Sequence, residues 1–128
     1  MSANLENYVL VVDDDPSVQV IASEALARMG LQGRSAASGE EALRIVRDHP
    51  PRMILLDVSM GGMAGLVTLT RLQESRSTRR IPIILLSRLS ENLHHMRRLP
   101  GVVAAMYKGD FSVAQLCDVL GRVCTALN

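Results

Sequence analysis

The chain has no tryptophan, two tyrosines and one phenylalanine, so it lacks the rings with which single-strand nucleic-acid binders stack bases. Lysine is nearly absent as well: of fourteen Lys and Arg residues, Lys108 alone is lysine. No apolar run approaches the roughly 18 residues of a membrane span. The opening Met-Ser-Ala-Asn-Leu-Glu-Asn does not have the basic-then-apolar order of a signal peptide, so a cytoplasmic location is expected. The two cysteines, Cys117 and Cys124, stand seven apart in a predicted helix, about 10 Å along its axis and too far for a disulfide within it. Without a Cys-x-x-Cys or a nearby His they read as small reduced core residues.

What is present is one domain's worth of chain: 128 residues, 48% apolar, with room for a single core and no second unit. The net charge of +1 argues against a dedicated nucleic-acid surface. It is unevenly spread, with five Arg against nine acidic residues in 1–64, and eight Arg and Lys108 against four in 65–128.

Five short apolar runs alternate with segments of helical period. The runs are Val9–Val12, a weak Gly33–Ala36, Met53–Leu56, Ile81–Leu86 and Val102–Met106. The strong ones are continuously apolar, as parallel strands covered on both faces should be. Helices are predicted over Pro16–Met29 with Gly30 as the stop, from the Ser38-Gly-Glu-Glu41 start to Pro50-Pro51, over Leu66–Leu72, Glu91–Arg98 and Ser112–Leu127. This βα alternation with short connections predicts an α/β domain, a single doubly wound five-stranded parallel sheet.

In the flavodoxin-like order 2-1-3-4-5, strands 1 and 3 are neighbours and the crevice opens at their carboxyl ends. Asp13, Asp14 and Asp57 then converge, Asp13-Asp14-Asp15 ending the first run and Asp57 the third. Two like charges about 4 Å apart repel by roughly 4 kcal/mol at an effective dielectric of 20, so three carboxylates call for a compensating ion. Mg²⁺ (or Mn²⁺) suits an all-oxygen site that also holds phosphate. The plainer alternative is a polar turn with a helix cap before Pro16, which leaves Asp57 and Lys108 unexplained. Lys108 ends the fifth run and Ser87 the fourth, where an ammonium and a hydroxyl can each meet a phosphoryl oxygen.

Val-Val-Asp13-Asp14-Asp-Pro, Asp57 followed by Met60-Gly-Gly-Met63-x-Gly65, Pro82-Ile-Ile-Leu-Leu-Ser87 and Lys108 stand in the order and spacing of a known family. On these residues the whole chain, 1–128, resembles a response regulator receiver domain of two-component signalling (CheY-like), without an output domain. The resemblance implies that Asp57 is the phosphoacceptor, Asp14 a direct metal ligand and Asp13 a ligand through metal-bound water. The Ser59 carbonyl would complete the metal set, Ser87 and Lys108 would bind the phosphoryl group, and Asp15 would face solvent or cap a helix. It further implies phosphotransfer from a phosphohistidine on a sensor histidine kinase or histidine phosphotransferase, a self-modifying switch rather than an enzyme, and an output partner of unknown identity. Homodimerisation is left open.

Several positions depart from the family. Arg88 follows Ser87 where Ala or Gly is usual, and either narrows the entrance or attracts the donor's phosphate. Gly109 replaces the proline after the lysine, which puts Phe111 one place late. Ala105 stands where the switch aromatic usually does, and Tyr107, two residues on, either takes over as reporter or packs statically under the last helix. Ser59 and Leu89 occupy positions where such receivers tune phosphoryl lifetime.

These departures motivate the main alternative, a pseudo-receiver that binds partners without phosphorylation. A flavodoxin is disfavoured because Asp13-Asp14-Asp15 would repel a flavin phosphate. An aspartate-based phosphatase would need an acid where Ser59 stands. Arg97, Arg98, Asp118 and Arg122 are candidate output contacts, and His94-His95 reads as a solvated helix face.

Overall fold

The computed structural model describes residues 6–59 and 64–127, with Glu6 and Ala64 described by backbone alone. The Met60-Gly61-Gly62-Met63 motif lies outside the described residues. The strands are β1 (Glu6–Val12), β2 (Gln32–Ala36), β3 (Pro51–Asp57), β4 (Ile83–Ser87) and β5 (Val102–Tyr107). The helices are α1 (Pro16–Arg28), α2 (Gly39–Asp48), α3 (Ala64–Glu74), α4 (Leu93–Met96) and α5 (Val113–Leu127). All strands pair in parallel in the order β2-β1-β3-β4-β5, as expected.

The unbroken apolar runs are explained by a core on each face. Leu10, Val12, Ile54, Leu56, Ile83 and Leu85 point to one cluster, while Val9, Val11, Met53, Leu55, Ile84 and Leu86 point to the other. Leu116, Leu120 and Val123 of α5 join the second cluster with Val18, Ala22, Ala25 and Leu26 of α1. Cys117 and Cys124 are free and pack against that cluster, consistent with reduced core residues.

The capping residues work as the sequence predicts. Asp15 accepts from the Ser17 amide ahead of Pro16, and Ser38 Oγ accepts from the Glu41 amide at 3.1 Å. Gly30 adopts φ 72° just after α1, a conformation that costs a residue without Cβ little. The clearest correction falls on α4, predicted over Glu91–Arg98 but confined to Leu93–Met96. Asn92 makes no side-chain cap bond and none of its residues is buried, so little favours extending the helix. Among the described residues no helix is long and apolar enough to cross a membrane.

Candidate functional site

Register alone brings the acidic residues together. Val12 pairs with Leu56, so Asp13 and Asp57 end adjacent central strands one residue further on. Asp57 pairs with Leu86 and Ser87 with Tyr107, which sets Ser87 and Lys108 along the same end of the sheet. Asp13, Asp57 and Ser87 are buried, at 1%, 0% and 2% exposure, whereas Asp14 is exposed.

Lys108 Nζ bridges the two buried carboxylates, donating to Asp57 Oδ2 at 3.0 Å and to Asp13 Oδ1 at 3.3 Å. It also lies 3.0 Å from Asp13 Oδ2. Backbone amides hold the other oxygens, the Ser59 amide on Asp57 Oδ1 at 2.7 Å and the Asp15 amide on Asp13 Oδ1 at 2.9 Å. Burial raises the Asp13 carboxyl above its ordinary range against the pull of the Asp15 amide and Lys108, and the charge of Asp57 adds to the rise. Burial works against the Lys108 ammonium, but hydrogen bonds to Asp13 and Asp57 and their charges outweigh it, leaving its pKa above the usual lysine value. Hydrogen bonds from Ser17 hold Asp15 below the usual range.

The donor set fits a hard divalent cation. Oxygens of Asp13, Asp14 and Asp57 lie within 4.8 Å of one another, and a single lysine cannot neutralise three carboxylates. Asp13 Oδ2 is buried without a hydrogen-bond donor, because its contact with the ammonium is ionic and lacks hydrogen-bond geometry. Such an oxygen is costly unless a cation or water completes it.

Two loops close on the site. The Arg88 amide donates to Ser59 Oγ at 3.0 Å, joining the β4 end to the β3 end, and the Leu89 amide donates to Ser87 Oγ at 3.0 Å. Arg88 is exposed at the rim. Ala105 is buried in the core, paired with Leu85. Tyr107 is half-buried and its ring is packed against Gly109, in a 3-10 turn over Lys108–Asp110. The Lys108–Gly109 peptide bond is trans, as are all those described.

Two further residues shape the site: Gln19, which no motif singles out, and Gly65, which the sequence places in the motif after Asp57 without showing its role. Gln19 Nε2 donates to the carbonyls of Val11 and Asp13, both at 3.0 Å, and so pins the end of β1. Only its place one turn after the Asp15 cap hinted at this. Gly65 lets α3 press on the backbone after Asp57, since a Cβ there would lie 2.6 Å from the Asp57 carbonyl oxygen.

The family model for the response regulator receiver domain matches residues 9–107. Among curated proteins, the gliding motility regulatory protein of Myxococcus xanthus is 32% identical over 116 residues, covering 90% of this chain and 15% of that protein. The transcriptional regulatory protein AfsQ1 of Streptomyces coelicolor is 33% identical over 85 residues, 66% of this chain and 36% of that protein. The chain thus spans only a fraction of the length of such relatives. Among solved structures, the chemotaxis response regulator CheY4 of Vibrio cholerae superposes with a TM-score of 0.80 at 26% identity, covering 91% of this chain and 97% of that one. TrrA of Thermotoga maritima, solved in complex with Mg(2+)-BeF, gives 0.74 at 26%, covering 91% and 98%. With the match running from β1 to the last residue of β5, the chain belongs to the response regulator receiver domain family.

Proposed function

We propose that this receiver is phosphorylated on Asp57 and signals through altered protein contacts. The observation that carries the proposal is one ammonium, Lys108 Nζ, 3.0 Å from both buried carboxylates, Asp13 and Asp57, with Asp14 in the same cluster. That arrangement fits an acceptor with charge compensation better than it fits a pseudo-receiver.

An Asp57 carboxylate oxygen attacks the phosphorus of a phosphohistidine on a sensor histidine kinase or histidine phosphotransferase. The P–N bond breaks, the imidazole leaves and takes up a proton, and Asp57 becomes an aspartyl phosphate that water later hydrolyses to inorganic phosphate. Asp13, Asp14, Asp57 and the Ser59 carbonyl would hold Mg²⁺ (or Mn²⁺), which supplies positive charge to the phosphoryl oxygens. Lys108 supplies the second cation, already in contact with Asp57 Oδ2. Ser87 Oγ accepts from the Leu89 amide, so its hydroxyl proton remains free for a phosphoryl oxygen. Asp57 is fully covered, so the donor reaches it only as the groups above it move aside.

Output passes through the face of α4, β5 and α5. A groove of about 370 Å³ there is lined by Arg97, Val103, Ala105, Arg122, Val123 and Leu127, with Val103 and Leu127 exposed. An apolar floor edged by arginines suits a protein partner with an acidic rim. The phosphoacceptor is tested by intact mass after incubation with a small-molecule phosphodonor and Mg²⁺. One phosphoryl group is expected on the wild type and none on Asp57→Asn or without metal. A well-folded wild type that gains no mass would refute the proposal.

A further inference from the structure

Gly109 has no conformational reason to be glycine: among the described residues only Gly30 and Gly101 have positive φ. Its reason is space. A Cβ on Gly109 would collide with Cε2, Cζ and the hydroxyl oxygen of Tyr107, reaching within 2.6 Å of the last. The colliding group is the tip of the Tyr107 ring, and the backbone carrying Gly109 is a 3-10 turn, Lys108–Asp110, so either the ring must swing aside or the turn must twist.

Lys108 lies between the two. Tyr107 is the last residue of β5, paired with Ser87, so its backbone is fixed by the sheet. Its ring turns back onto Gly109 and braces the turn from which the Lys108 side chain reaches Asp13 and Asp57. The ring's open neighbour is a cleft of about 360 Å³, shared with Asp15, Val18, Arg88 and Phe111 beside the acidic site.

We infer that Tyr107 is a positioning residue for Lys108, and that Gly109 is its steric complement. Resting on the phosphoacceptor reading above, this makes the ring and the glycine one unit that sets where the ammonium stands during phosphoryl transfer. A side chain at 109 displaces the ring toward the cleft or twists the turn, and either movement carries Nζ away from Asp57. A misplacement on the ångström scale slows a positioned reaction by up to about a hundredfold.

The test is a double-mutant cycle on the full chain with Gly109→Ala, Tyr107→Ala and the pair, and with Tyr107→Phe as the conservative variant. Single-turnover phosphorylation by a small-molecule phosphodonor at saturating Mg²⁺ separates the limiting rate from the donor concentration at half-saturation. Gly109→Ala is expected to lower the limiting rate by about tenfold without changing half-saturation, and to cost nothing further once Tyr107 is Ala. Tyr107→Phe keeps the ring and the rate.

In parallel, the Lys108 amide resonance should move in Gly109→Ala and not move further when that change is added to Tyr107→Ala. Equal slowing by Gly109→Ala with and without the ring, or a Tyr107→Ala protein as fast as wild type, would overturn the inference. If the wild type takes no phosphoryl group, the reading of Asp57 fails. The amide shifts then still decide the pairing of Tyr107 and Gly109.

Discussion

On one side of β5, α5 runs from Val113 to Leu127 and buries Leu116, Leu120 and Val123. On the other side α4 is the single turn Leu93–Met96 with none of its residues buried. Ser112 Oγ accepts from the Gln115 amide at the start of α5, whereas Asn92 offers α4 no side-chain bond. The same strand therefore has a fixed flank and a loosely held one. If Asp57 is the phosphoacceptor, as proposed, a signal from it would shift α4 at small cost, while α5 and the paired strands would keep Lys108 and the two aspartates in register. The groove bounded by Arg97, Val103 and Leu127 spans both flanks, so movement of α4 changes its shape.

The contrast is tested most severely by truncating each flank. Leu116→Ala, at a fully buried position, should cost about 2–5 kcal/mol in urea unfolding, and Met96→Ala less than about 1 kcal/mol. Amide exchange sharpens it: Leu120 should open only with global unfolding and His95 by local opening. Equal protection would erase the distinction.

The next effect concerns what the fixed flank carries. At a hundredfold excess over its dissociation constant Mg²⁺ should stabilise the wild type by about 2.7 kcal/mol, a gain lost in Asp13→Asn. In EDTA at neutral pH the order reverses, and Asp13→Asn should unfold at higher urea. The sign follows from the raised Asp13 pKa: the folded state holds that proton more tightly than the unfolded chain. Its contribution is therefore complete below the ordinary carboxylate range and is lost as pH rises through the raised value. Lys108, also raised, contributes stability at neutral pH that is lost on the alkaline side, above the usual lysine range. A metal-free wild type that gains stability relative to Asp13→Asn as pH climbs out of the acid range would contradict the cause assigned to Asp13.

The smallest effect separates the buried cations from the exposed ones. Asp118 and Arg122 pair at 3.0 Å on the outer face of α5, both largely exposed. Asp118→Ala should cost about 0.3–0.5 kcal/mol, and less in high salt, as measured by the urea midpoint.

The strands and α1, α2, α3 and α5 were legible because each carries a local signal: an unbroken apolar run, a Ser or Asp cap, a proline at a boundary. The fourth apolar run takes in Ile81 and Pro82, yet β4 begins at Ile83. Ile81 is nonetheless buried, so burial and strand pairing part company there. Around α4, Leu93, Met96 and Leu99 all touch the core, but contact along so short a stretch does not sustain a longer helix. Gln19 could not be read as a brace for β1, because its two acceptors are carbonyls that no side-chain pattern encodes.

By itself the sequence determined the order of the elements and which acids and which lysine end the strands, since apolar runs, caps and the stops at Asp13, Asp57 and Lys108 are local properties. Tertiary structure alone decided that Lys108 meets Asp13 and Asp57 across separations of 95 and 51 residues. It also decided that Asp13 Oδ2 is left without a donor, that Arg88 is tied to Ser59, and that a Cβ on the glycine after Lys108 would meet the ring before it. Those facts depend on register, desolvation and volume, which arise only when distant segments pack.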